Sequence, residues 1–240
     1  QALDARNPFA PTRGEGQTRR LWLSSSGPIV PGRTSLSVNL FVRDAYDAQA
    51  IIAVMPDRTI NQTANQQGQW INGGLRLEHA LTPAQTLRVE YQRRSGEREN
   101  LGVGEYSLPE RAYDTTWGQH LVRISNLASF GASALNEARL ELIWTESSRH
   151  SLSDAVAINV TNAFLGGGAQ LGGGTREFEL ELGNDYEVAI GDKHRVRVGF
   201  ETEFGRRRSD EIENATGRFT FPSLEAYEAG RPLQFVQRIG

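Results

Sequence analysis

The chain alternates apolar and polar residues over long runs, and the period is two. Leu36, Val38, Leu40 and Val42 alternate with Ser37, Asn39, Phe41 and Arg43. Residues two apart point to the same side of an extended chain, so this run is a strand with one apolar face. Leu21 and Leu23 alternate in the same way with Arg20, Trp22 and Ser24. Between the two runs, Gly27-Pro28-Ile29-Val30-Pro31-Gly32-Arg33 predicts a turn. Proline removes a ladder donor there and glycine tolerates positive φ. Residues 19–44 thus read as strand, turn, strand.

The rest of the chain repeats this unit. A second hairpin spans 68–95, with Leu75 and Leu77, then Leu87, Val89 and Tyr91, on either side of Thr82-Pro83-Ala84-Gln85. A third spans 115–146. Val122 and Ile124 lead to a turn near 126–136, followed by Ala138, Leu140, Leu142 and Trp144. A fourth spans 176–205. Phe178, Leu180 and Leu182 alternate with Glu177, Glu179 and Glu181. Gly191-Asp192-Lys193 closes its turn, and Val196, Val198, Phe200 and Phe204 follow. The tail is different. Residues 217–221 predict a short strand. Residues 222–229 predict a turn or two of helix, with Ser223 as N-cap and Gly230 as stop, and an extended run begins at Leu233.

The joints carry further information. Connections inside the hairpins are short, whereas those between them, 45–67, 96–114 and 147–175, are long. All nine prolines are expected outside strand interiors. The strands are expected at about 8–13 residues, against a usual mode of about 5–6. Short turns at one end and long loops at the other are the pattern of outer-membrane barrels. The expected architecture is an all-β antiparallel meander of roughly nine or ten long strands, treated as one segment over 1–240, forming part of a transmembrane barrel. Taken alone, it should be an open sheet or half-barrel rather than a globule, because two edges and an apolar face lack partners.

Composition narrows the picture only a little. The chain has 240 residues and a net charge of −3, with 29 acidic and 26 basic side chains mixed throughout. That argues against a nucleic-acid surface, which would show clustered Lys and Arg. There is no cysteine, so disulfides and thiolate chemistry are excluded. No run of eighteen apolar residues exists, so no membrane-spanning helix is expected. The negative mean hydropathy suits a soluble protein or a barrel with a polar lumen equally. Gln1-Ala2-Leu3-Asp4 lacks the basic start and apolar core of a signal peptide. The expectation is a removed leader or an excised piece.

Candidate chemistry is sparse. His79, His120, His150 and His194 have no metal-ligand spacing, so no metal or cofactor site is expected. No G-x-S-x-G occurs and no catalytic pair stands out, so the chain is not expected to be an enzyme. Gly166-Gly167-Gly168 and Gly172-Gly173-Gly174 lack the Lys-Ser/Thr of a phosphate loop and read as flexible surface loop. Asn61, Asn159 and Asn214 begin glycosylation sequons, all in long connections. Glu177, Glu179 and Glu181 lie across one turn from Arg195 and Arg197, so cross-strand ion pairs are expected. Tyr46, Trp70, Trp117 and Trp144 stand near strand ends, where a membrane interface favours aromatics.

Two stretches carry a resemblance. Leu3-Asp4-Ala5-Arg6-Asn7-Pro8-Phe9, followed by Gly27-Pro28-Ile29-Val30, resembles the early barrel of TonB-dependent outer-membrane receptors of the Oar-like, carboxypeptidase-regulatory-like-domain group. Residues 217–221, Gly230-Arg231-Pro232 and Phe235-Val236-Gln237-Arg238 are similar to a later stretch of those barrels. The resemblance implies a bacterial outer-membrane barrel in contact with lipid. It implies import of an extracellular ligand, driven by the TonB system through a plug outside these residues. The matching motifs are structural, so they assign no ligand-binding residue. A second reading remains open, a secreted or surface β-sandwich that binds carbohydrate or protein. An outer-membrane enzyme is the third.

Overall fold

The structure, a computed structural model, describes residues 16–191 and 193–238. In chain order the strands are β1 (Gln17–Val30), β2 (Thr34–Val54), β3 (Thr59–Thr82), β4 (Gln85–Leu101), β5 (Tyr113–Phe130), β6 (Ala134–Ser151) and β7 (Ala157–Val160). They continue with β8 (Phe164–Gly166), β9 (Leu171–Gly172), β10 (Gly174–Ile190), β11 (His194–Ser209), β12 (Ile212–Glu213), β13 (Arg218–Phe221) and β14 (Gln234–Val236). One short helix, α1 (Leu224–Glu228), precedes β14, with Ser223 as N-cap. Eight long strands form one antiparallel sheet in the order β1-β2-β3-β4-β5-β6-β10-β11. Each pairs with its neighbour along the chain, the meander that period-two patterning predicts. Among the described residues the sheet does not close on itself.

The strands are much longer than expected. β2 has 21 residues and β3 has 24, which reduces the connection expected over 45–67 to residues 55–58. Polar residues at both alternating positions hide this extension in the sequence: Gln62, Asn65, Gln66 and Gln67 all lie within β3. The turns tighten to 31–33, 83–84 and 131–133, and β10 ends at Ile190 with β11 beginning at His194, so the turn expected over 126–136 is mostly strand. Pro28 corrects another expectation, because it lies inside β1. Among the described residues β1 is an edge strand, and its register with β2 shifts between Pro28 and Val30. A proline costs no ladder bond on a free edge or at a bulge.

Cross-strand partners share a face, so the register sorts every side chain. One face carries an apolar band. Leu23 pairs with Leu40, Val42 with Ile71, Leu77 with Val89, Val122 with Leu142, and Leu142 with Leu180. The opposite face carries Glu78 with Arg88, Arg76 with Glu90, Arg123 with Glu141, and Glu187 with Arg197. A 24-residue strand rises about 80 Å, far more than a bilayer core of about 30 Å. On the banded face of β2 the apolar run stops at Asp44. The last ten or so residues of β2 and the first ten or so of β3 therefore extend past the band.

The buried core lies there, away from the band. Ile51 and Ala53 of β2 are wholly buried, together with Val103, Leu108, Ala112, Val160, Ala163, Phe164 and Phe221 from the connections and tail. These segments form a small four-stranded sheet, β14-β13-β7-β8, in which β7 and β13 run parallel. Backbone bonds tie this cap to the strand extension. Ile52 N donates to Glu105 O at 2.7 Å, Glu105 N to Ala50 O at 2.7 Å, and Val54 N to Ala163 O at 3.2 Å. Tyr227 of α1 meets Phe164 and Phe221 edge-on, each at 5.2 Å between ring centroids. The cap is built from the 102–112 connection, the 152–173 connection and the tail. It gives this end of the molecule an interior of its own.

Candidate functional site

The polar face of the long sheet is the first candidate surface. Its lower half holds a continuous ion-pair network. Glu90 contacts Arg76 at 2.6 Å, Arg123 at 3.7 Å and Arg88 at 4.0 Å, and Arg88 also contacts Glu78 at 2.8 Å. Arg123 continues to Glu141. Further along, Asp185 lies between Arg139 at 3.0 Å and Arg197 at 3.2 Å, and Arg195 meets Glu187 at 3.2 Å. The pairing expected of Glu177, Glu179 and Glu181 with Arg195 and Arg197 does not form: the tight turn sets those arginines beside Glu187 and Asp185 at the near end of the hairpin, and Glu177 meets Arg207 at 3.0 Å instead. Alternation on paired strands is what puts these charges in one line.

Nearer the cap, the same face changes character. Arg20, Arg43, Trp70, Gly96 and Trp117 form one row of cross-strand partners from β1 to β5. Trp22, Phe41, Asn72 and Arg94 form the next row. The Trp70 indole lies along the sheet over Gly68 and Gly96, where an added Cβ would come within 2.6 Å and 3.1 Å of the ring. The Arg43 guanidinium sits 5.0 Å from the Trp70 ring centroid. Arg43 Nε and Asn72 Oδ1 are buried without a hydrogen-bond partner, and Arg94 donates to Gln92 at 2.9 Å. Trp70 and Trp117 thus face away from the apolar band, which corrects the interfacial reading for both. Trp144 is on the banded face, 5.6 Å from Phe178, and Tyr91 there donates to or accepts from His120 at 2.8 Å. The sequence signal for the patch was Phe41 and Trp22, aromatics at polar positions of the alternation.

The cap is the second candidate surface. The glycine triplets, Gly172 excepted, are close-packed crossings rather than flexible loop. A Cβ on Gly168 would lie 2.1 Å from Ser153 O, and one on Gly174 would lie 2.1 Å from Ser147 O. Glu110 accepts from Gly167 N at 2.9 Å, and Arg111 Nη1 donates to Gly168 O at 2.6 Å. Burial, and then the charge of Arg218, hold the Arg111 guanidinium below the ordinary arginine value. Gln170 donates to Gly217 O at 2.5 Å and accepts from Thr216 N at 3.1 Å, which joins connection to tail. At the start of α1, the Ser223 hydroxyl holds the Glu225 carboxyl below its usual range.

The remaining sequence candidates disperse. His79 is bound to Thr34 at 2.8 Å, and among the described residues no cluster of His, Asp and Glu could hold a metal ion. Asn61 lies in β3, Asn159 in β7, and Asn214 in the tail with φ 56°, so the three sequons share the cap end. Residues 3–9, which carry part of the family resemblance, lie outside the described residues.

Neither protein-family profiles nor the sequences of curated proteins match the chain. A search of solved structures gives a fold match. The chain is similar to the outer membrane transporter YddB from Escherichia coli, with a TM-score of 0.58 and 10% identity over 91% of this chain and 28% of that one. The chain therefore spans less than a third of that transporter's length, and what the two share is the fold of an outer-membrane barrel wall.

Proposed function

We propose that these residues form one segment of the wall of an outer-membrane transport barrel, of the TonB-dependent receptor type and closest in character to its Oar-like group. The apolar band faces lipid and the ion-pair face lines the lumen. The cap end faces outside and makes first contact with an extracellular ligand, whose import is driven by the TonB system through a plug. The observation that carries this reading is the two-faced strand of twice the spanning length. A transmembrane strand needs about 9–11 residues, with an outer apolar band and a polar interior. The strand extensions and the cap core suit long structured loops beyond the bilayer. A β-sandwich needs a second sheet over the apolar band, and among the described residues the small sheets sit at the cap instead.

Single cysteines test the topology, since the chain has none of its own. In cells making the full-length protein, Tyr106→Cys at the cap should react with an impermeant maleimide on intact cells. Gly131→Cys in a turn should react only after the outer membrane is breached. The reverse pattern would overturn the reading. Loss of uptake on removing TonB tests the energy source separately.

A further inference from the structure

The polar face is neutralised in its lower half and uncompensated next to the cap. Arg20, Arg43 and Arg94 line one concavity there, and among the described residues none has a carboxylate in salt-bridge range. The indoles of Trp70 and Trp117 lie between them, with Phe41 beside. The concavity offers about 450 Å³, within the size range of small-molecule sites. Burying the Arg43 Nε without an acceptor is unfavourable unless something else supplies one. Trp70 is laid flat over glycines on its own and the adjacent strand, with the Arg43 guanidinium 5.0 Å from its ring centroid, so charge and indole stand side by side.

We infer that this patch binds a small planar organic anion, with its acid group on Arg43 and Arg94 and its flat unsaturated part against the indoles of Trp70 and Trp117. Guanidinium groups bind carboxylates through two parallel hydrogen bonds, and indole faces stack on flat π-systems. A simple inorganic anion makes no use of the indoles, and a neutral aromatic leaves the arginines unpaired. The required ligand therefore has both parts. The inference rests on the polar face being the wet side of the barrel wall, and it names the class of solute for which that wall is selective.

The test uses full-length protein in detergent, with 2-naphthoate as probe and 2-naphthamide as its uncharged counterpart. Calorimetry should show naphthoate binding at least tenfold tighter than the amide. Arg43→Gln and Arg94→Gln should each weaken it at least tenfold, and Trp70→Leu should lower naphthoate affinity more than acetate affinity. The double change Arg43→Glu with Arg94→Glu should reverse the preference, toward 2-naphthylmethylammonium. Heat-modifiable gel mobility checks that each variant is folded. Equal binding of naphthoate and the amide, unchanged affinity in both glutamine variants, or no binding at all overturns the inference. Asn39→Cys on the same face reports separately on the barrel reading. If it resists a water-soluble maleimide, the wet-face reading fails; if it reacts and naphthoate does not bind, the inference alone fails.

Discussion

Gly168 and Gly27 look alike in the sequence and have opposite packing. An added Cβ at Gly168 would meet Ser153 O at 2.1 Å and Ala155 O at 2.8 Å, while Gly27 has open space around it. Gly168→Ala should destabilise the cap by about 1–3 kcal/mol, as overpacking does, and Gly27→Ala should be near neutral. Limited proteolysis of the folded protein checks this: cleavage in 152–173 should rise for the first variant and stay unchanged for the second. The contrast also explains why the glycine triplets misled. Composition reports conformational freedom, but the need here is for close backbone approach, which only the third dimension reveals. Pro28 is the same kind of case. Its tolerance depends on the register shift between Pro28 and Val30, a fact about pairing with β2 rather than about the residue.

At the scale of the element, the alternation assigns each side chain its solvent. Leu142 packs in the apolar band between Val122 and Leu180, and Ile143 next to it faces Leu121 and Glu179 on the polar side. Leu142→Arg should cost about 2–4 kcal/mol in lipid, and Ile143→Arg should be tolerated. Denaturant unfolding in lipid vesicles distinguishes them, and equal costs would show that the faces are misassigned. The eight strands of the four hairpins and their order were legible because the apolar band imposes period two, whereas the further strands expected from the tail to make nine or ten are the short β13 and β14 of the cap. The outer halves of β2 and β3 were not legible. Beyond the apolar band both faces of these strands carry polar residues, so the alternation disappears while the ladder continues. Arg20, Arg43 and Arg94 were visible as polar positions, but their place in one concavity is set by register, which no single strand records.

The whole molecule has two interiors held by different means. The sheet has an apolar band on one face and a polar face stitched by ion pairs. The cap has an ordinary hydrophobic core. Phe164, 2% exposed, is its centre, in edge contact with Tyr227. Phe164→Ala should cost the cap about 3–5 kcal/mol. Because the cap and the band share few side chains, the variant should keep its heat-modifiable barrel mobility while its cap becomes protease-sensitive. If both are lost together, the two interiors fold as one.

The parallel pairing of β7 with β13 joins Ala157 to Arg218 and Val160 to Phe221 across the intervening β10–β11 hairpin. Each long strand, by contrast, pairs with the one just before it in the meander. Contacts between distant parts of a chain form late, since the loop must close before it is rewarded. The assembly order follows. The hairpins zip up in sequence, and Phe164, Phe221 and Ile51 stay uncovered until the β10–β11 hairpin has crossed and the tail has followed it. Cap closure is then the last of these pairings to form and reports that the eight long strands described are in place.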